Sequence, residues 1–301
     1  MTERKAHLDA FAVAVIVVCC FLWGLNQVAA KAALPEIPAL WQAAARSVGG
    51  TALVWLWAAS RRTPLFEPDR TLPGGLLAGV LFAAEFFCIF VGLQYTTASR
   101  MVVWIYIAPF VVALGMPLIA RSERLSLLQA AGLVLAFAGV AWAFSEGFSQ
   151  PQAGPKQWLG DALGVLAGVL WGATTLAVRG TALGHASAEK TLLYQLAVSA
   201  LLLLAAAVLS GQPLPEPERV SMLAWMALLF QIVIVTFASY LVWFWLVRHY
   251  PATRLSSFTM LTPVFGLLLG AVLLSEPITG RLLFALAAVA AGIFLVNRKT
   301  G

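Results

Sequence analysis

Two ionisable residues stand where charge is costly. Glu85 is the only acidic residue deep in an apolar run, and Arg46 is the only deep basic one. A charge at that depth faces the protein interior and calls for a partner. Three chemistries suit Glu85: a structural ion pair with Arg46, a carboxylate that couples a proton, or an acceptor for a solute amine. The runs that carry the two residues set each about eight residues from the same boundary, or roughly 12 Å at 1.5 Å per residue. They could therefore meet.

Aromatic side chains supply a second chemistry. Trp23 and Trp171 fall towards the middle of their runs, whereas tryptophan usually collects at the headgroup level. A buried indole N–H needs a partner in protein or trapped water. Lining a central cavity meets that need, and core packing is the alternative. Tyr240 and Trp243 are three residues apart and share a helix face. With Trp104 and Tyr106 they form a set able to stack on a flat or apolar solute. Asn26 lies about one turn from Trp23 on nearly the same face, which makes it the leading polar candidate. Gln27, Gln42, Gln195 and Gln231 are further polar groups within apolar runs, where they could bond across helices.

Pro109 and Pro263 sit near the midpoints of their runs. A mid-helix proline frees a carbonyl one turn earlier and favours a kink. Both are candidate hinges, with the carbonyls near Ile105 and Thr259 free to face a cavity. Gly160, Gly164, Gly168 and Gly172 recur every four residues, and Gly75/Gly79 and Gly266/Gly270 repeat the theme. Such faces let another helix approach closely.

Other chemistries find no residues. Cys19, Cys20 and Cys88 lie inside apolar runs without metal spacing. His7, His185 and His249 lie outside the runs. There is no HExxH, no GxSxG and no GxxxxGK[ST] loop, so metalloprotease, esterase and P-loop ATPase chemistry have no motif. No cofactor, metal or catalytic residue is expected. The basic residues stand singly or in pairs, which suits membrane topology better than nucleic-acid binding.

The elements that hold these residues follow from composition. Of 301 residues 61% are hydrophobic and 11% charged, against roughly 25% charged in a soluble domain. Apolar runs predict spans at Asp9–Ala30, Pro38–Ala59, Pro73–Leu93, Arg100–Ala120, Leu125–Ser145, Leu159–Thr181, Ala188–Ser210, Val220–Val247, Arg254–Ser275 and Gly280–Asn297. All should be helices, because backbone polar groups in hydrocarbon need internal partners and no barrel-like alternation is present. Thirteen basic residues gather on one side and five on the other, Arg46 aside. The positive-inside bias then puts both termini in the cytoplasm.

The chain also repeats itself. Leu22-Trp23-Gly24 matches Leu170-Trp171-Gly172, and Ala98-Ser99-Arg100 matches Ala252-Thr253-Arg254. Pro109 matches Pro263, Ser122-Glu123 matches Ser275-Glu276, and Gly139 matches Gly292. The offsets are 148, 154, 154, 153 and 153. The expected fold is therefore an all-α integral membrane protein with ten transmembrane helices, in two five-helix repeats at residues 1–150 and 151–301. Five is odd, so the repeats are inverted. Inverted repeats are characteristic of secondary transporters, with the solute near the midplane between them. An intramembrane enzyme or a channel is the alternative from another class.

These residues resemble the drug/metabolite transporter superfamily, in its ten-helix branch of tandem EamA-type domains. The likeness rests on the two Leu-Trp-Gly segments, the Pro109 and Pro263 helices, and Ser275-Glu276-Pro277 before a glycine-containing last helix. The first half reads Ser122-Glu123-Arg124 and lacks the proline. The resemblance implies a bacterial inner-membrane carrier of amino acids, aromatic ones included, or related metabolites, moved outward. Multidrug or nucleotide-metabolite efflux is its alternative. The implied partners are a small-molecule substrate, the lipid bilayer and a proton as candidate coupled ion, with a monomer as the functional unit.

Overall fold

A computed structural model describes residues 5, 7–65, 67–96, 98–143, 154–273 and 280–297. Arg4, Ser275-Glu276-Pro277, Arg298 and Lys299 lie outside the described residues, as do the side chains of Gln27, Lys31, Ser99 and Arg281. The first half holds α1 (Ala10–Ala33), α2 (Ala39–Ser60), α3 (Leu72–Gly92), α4 (Ala98–Ile105), α5 (Ala108–Ile119) and α6 (Leu127–Ala143). The second holds α7 (Gln157–Gly180), α8 (Ala188–Leu209), α9 (Met222–Phe230), α10 (Tyr240–His249), α11 (Ala252–Phe258), α12 (Leu261–Leu273) and α13 (Gly280–Asn297). These make ten crossings, because α4–α5, α9–α10 and α11–α12 are each one interrupted crossing. Among the described residues five segments are long and apolar enough to span a membrane: Ala10–Ala30, Leu72–Gly92, Gln157–Gly180, Ala188–Leu209 and Met222–His249.

Local chemistry sets the helix starts. The Asp9 carboxylate accepts from Ala12 N at 2.9 Å and caps α1. Ser187 and Ser221 cap α8 and α9 through Lys190 N and Ala224 N. Each side chain satisfies an amide that has no partner within its helix.

The two proline helices differ from the kinked helices the sequence suggests. The fourth crossing breaks at Tyr106–Ile107, and Pro109 stands in the first turn of α5. The ninth breaks at Thr259–Met260, and Pro263 is the third residue of α12. A proline in a first turn costs no hydrogen bond. Each nearby carbonyl has a contact of its own, although Ile105 also lines the cavity described below. Thr259 O accepts from Thr262 N at 2.9 Å within its own turn. Ile105 O faces α7, where a Cβ on Gly168 would stand 2.6 Å from it.

The repeats pack on each other rather than on themselves. α1 lies on α12 and α9, while α7 lies on α3, α4 and α5. α8 lies on α2 and α3, and α6 pairs with α13. Equivalent glycines show the symmetry at atomic level. A Cβ on Gly24 would meet Thr262 O at 3.1 Å and Phe265 Cβ at 3.0 Å. One on Gly172 would meet Ala108 O at 3.1 Å and Val111 Cβ at 2.5 Å. Gly24 and Gly172 differ by 148 positions, and the α5 and α12 residues by 154, the offsets read from the sequence. The α7 glycines thus face the broken helix of the other half.

Direction confirms the inversion. Asp9, at the start of α1, accepts from Tyr250 OH just beyond α10. Arg179, at the end of α7, donates to Val247 O on the last turns of α10. The start of α1 and the end of α7 therefore share one face, so these equivalent helices run oppositely.

At that face Lys190, buried on α8, donates to Asp69 at 2.9 Å and to Glu67 O at 3.2 Å. The Thr71 hydroxyl, and then Lys190, hold the Asp69 carboxyl at about 2, below its usual 3.8. A depressed carboxylate stabilises the fold above its unfolded value and loses that contribution as pH falls through the folded one. Asp69→Asn is therefore expected to lower the melting temperature at pH 7 and to lower it much less at pH 2, read by thermal unfolding in detergent.

Candidate solute cavity

The crossings enclose a cavity between the repeats, with about 980 Å3 of empty space including its mouth. Trp23, Asn26, Arg46, Glu85, Tyr106, Trp171, Tyr240 and Trp243 all line it. Phe82, Phe86, Thr174, Thr175 and Gln195 join them. The lining reaches Ala30, near the end of α1, and Leu93, just past α3.

Aromatic rings build one wall by edge contacts. The Trp23 ring lies 5.6 Å from Trp243, 6.3 Å from Tyr240 and 6.4 Å from Trp171, each edge-on. Tyr106 adds an edge contact to Trp171 at 5.5 Å. This is the arrangement ring quadrupoles favour. The Trp23 indole N–H donates to Ser239 Oγ at 2.8 Å, which meets the demand a deep indole makes.

The direct ion pair expected between Arg46 and Glu85 does not form. Among the described residues neither stands within 4.0 Å of an opposite charge. Arg46 Nε donates instead to Thr236 Oγ1 at 3.3 Å, and Nη2 donates to Tyr240 OH at 3.2 Å. Its guanidinium carbon lies 4.7 Å from the centroid of the Phe86 ring, a cation–π contact. Two hydroxyls and an aromatic face thus hold the fork that the sequence assigned to a carboxylate. Glu85 keeps its Oε2 buried without a donor, and so do Asn26 Oδ1 and Gln195 Oε1. Three acceptors without donors and one cation without a contacting counter-ion face a common space.

Trp104 is a correction. It is not among the residues lining the cavity; it packs on α7, where a Cβ on Gly164 would stand 2.9 Å from its own Cβ, and its indole lies beside Asp161. Two residues apart on a helix point to nearly opposite sides, so Tyr106 enters the cavity while Trp104 stays on the α7 side. Pro109 and Pro263 are likewise absent from the lining and serve as first-turn residues of α5 and α12.

Sequence reasoning missed the segment that shapes the site. Gln231–Ser239, between α9 and α10, is a π-helix. Nine residues exceed the single-turn bulge usually seen, and π segments gather at functional sites. This one presents Val235 to the cavity, Thr236 to Arg46 and Ser239 to Trp23. Space for it comes from Gly49 and Gly50 on α2. A Cβ there would stand 2.7 Å from Ile232 and 2.6 Å from Thr236. The double glycine was the available signal.

Two charge clusters at the ends of α7 were also missed. Arg100 is bonded to Asp161 through two nitrogens, and Thr96 Oγ1 donates to the same carboxylate at 2.7 Å. At the other end Arg179 pairs with Glu123 and donates to Val247 O at 3.1 Å. Glu123 also accepts from Thr253 N at 3.2 Å. Both partners of that pair are buried. The cluster ties the 3-10 turn after α5 to α7, α10 and α11, and so joins the two repeats at the end opposite Ala30 and Leu93. Opposite charges at matching ends of different spans were the signal.

Inverted five-crossing repeats around a buried aromatic cavity, joined at one end by a buried ion pair, have the architecture of a membrane transporter. The comparisons with known proteins agree: the EamA-like transporter family matches residues 10–145 and 158–298, and the chain belongs to that family. An uncharacterized transporter of Bacillus subtilis, YvbV, is 29% identical over 99% of this chain and 92% of its own length. A second from the same organism, YoaV, is 23% identical over 93% and 94%. A solved crystal structure shares the fold with TM-score 0.81 at 17% identity, covering 95% of this chain and 96% of that one. The family and these relatives indicate a transporter rather than an enzyme.

Proposed function

We propose that this transporter moves amino acids, aromatic ones included, or closely related metabolites outward across a bacterial inner membrane. It does so as a monomer with both termini cytoplasmic. The moving bodies are residues 1–150 and 151–301, which rock about the cavity and expose it to each side in turn. The observation that carries this reading is the cavity itself. It offers a guanidinium for a carboxylate, a set of donor-less acceptors for an ammonium, and an aromatic wall for a side chain. A nucleotide would call for several cations; among the described lining residues Arg46 is the one cation.

A second reading, proton-linked exchange, is favoured by Glu85. A carboxyl without a donor inside a span can hold a proton when no solute ammonium is present. Flux of an amino-acid panel into liposomes, with and without a pH gradient, tests both readings. Saturable flux with counterflow is expected for at least one aromatic amino acid. Stimulation by the gradient supports the proton. Absence of flux for every amino acid would remove the solute assignment.

A further inference from the structure

The π-helix and Arg46 make a unit whose role goes beyond packing. An arginine has five N–H donors in a fixed fork. Arg46 uses two of its nitrogens on Thr236 and Tyr240, and both acceptors are neutral hydroxyls. The positive charge is held in place without a counter-ion in contact, and the Glu85 carboxyl in the same lining acts on it only at a distance. Thr236 and Tyr240 are four residues apart, one on the π segment and one at its end. The π register therefore fixes where both hydroxyls stand. The Thr236 methyl in turn lies over Gly50, so α2 and the π-helix are locked at this depth.

A buried cation with no counter-ion in contact is unfavourable until a ligand supplies one. An arginine fork with free donors matches a carboxylate, which it can take by two parallel bonds. We propose that Arg46 is the anchor for the carboxylate of the transported solute, and that Thr236 and Tyr240 are positioning residues that aim its fork. This rests on the solute reading above and deepens it. The carboxylate becomes a requirement for recognition, and a solute of the same shape without one is discriminated against.

The test compares phenylalanine with phenylalaninamide, which keeps ring and amine but replaces the carboxylate by a neutral amide. Both are offered to the full chain in liposomes. The wild type should carry phenylalanine with KM at least about tenfold lower, the scale of one charge-assisted hydrogen bond. Thr236→Val removes the hydroxyl at constant shape. It should raise KM for phenylalanine about tenfold, leave phenylalaninamide unchanged, and change the maximal rate little. Thr236→Ser restores the hydroxyl and should restore KM, which a purely structural role would not require. Equal KM for the two solutes in the wild type, or equal effects of Thr236→Val on both, would overturn the carboxylate anchor while leaving amino-acid transport standing. Flux of neither solute would overturn the solute reading and the anchor together.

Discussion

Arg179→Gln is expected to destabilise the protein by about 3–5 kcal/mol, the cost of leaving one partner of a buried pair alone. Glu123 is then buried without its cation, while Thr253 N still needs its carboxylate oxygen. The double variant Arg179→Met with Glu123→Gln should recover most of the loss. It removes both charges, fills similar volume and keeps an amide oxygen for Thr253. Thermal unfolding in detergent reads the stability. A second readout follows the end that the pair holds shut. A cysteine placed at Leu183, buried near Arg179, should react with a polar maleimide faster in the Arg179→Gln background than with the pair intact. A single variant as stable as the double one would show that the pair contributes no cross-repeat restraint.

The other large effect concerns Glu85. Glu85→Gln keeps shape and an acceptor but removes the charge. Hydrogen bonds to charged groups contribute about 1.5–3 kcal/mol, so affinity for an amine-bearing solute should fall about tenfold to a hundredfold. 3-Phenylpropionate, which has no amine, should show no such loss. Competition by this pair of solutes against labelled phenylalanine in liposomes separates the two. If the carboxyl also couples a proton, stimulation by a pH gradient disappears in the same variant while the protein still inserts. Unchanged KM and unchanged pH response together would leave Glu85 with neither role.

Much of this was legible because hydrocarbon restricts the choices. Long apolar runs can only be helices, and two Leu-Trp-Gly segments with matched prolines reveal a duplication whose inversion follows from an odd span number. The same offsets recur as equivalent contacts of Gly24 and Gly172. Seven of the eight residues named for solute contact line the cavity because depth and helix face are readable from spacing. What was not readable depends on local backbone departures. Trp104 and Tyr106 share a run but lie on nearly opposite helix faces, and the run alone does not say which face the fold turns to the cavity. The π register of Gln231–Ser239 has no simple sequence period, yet it decides that Thr236 and Tyr240, rather than Glu85, receive the Arg46 fork. The Arg100–Asp161 and Arg179–Glu123 clusters read as ordinary loop charges until the tertiary fold brings span ends together.

The central claim is that the two repeats move as units about one cavity and open its ends in turn. Spin labels at Gln94 and Leu214 sit on different repeats, near the end that the cavity reaches. Labels at Arg121 and His249 sit on different repeats at the Arg179 end. Pulsed dipolar distances for each pair, measured without solute and with saturating phenylalanine, should change in opposite senses, one shortening as the other lengthens. Distances that stay fixed in both pairs, or move in the same sense, would contradict it.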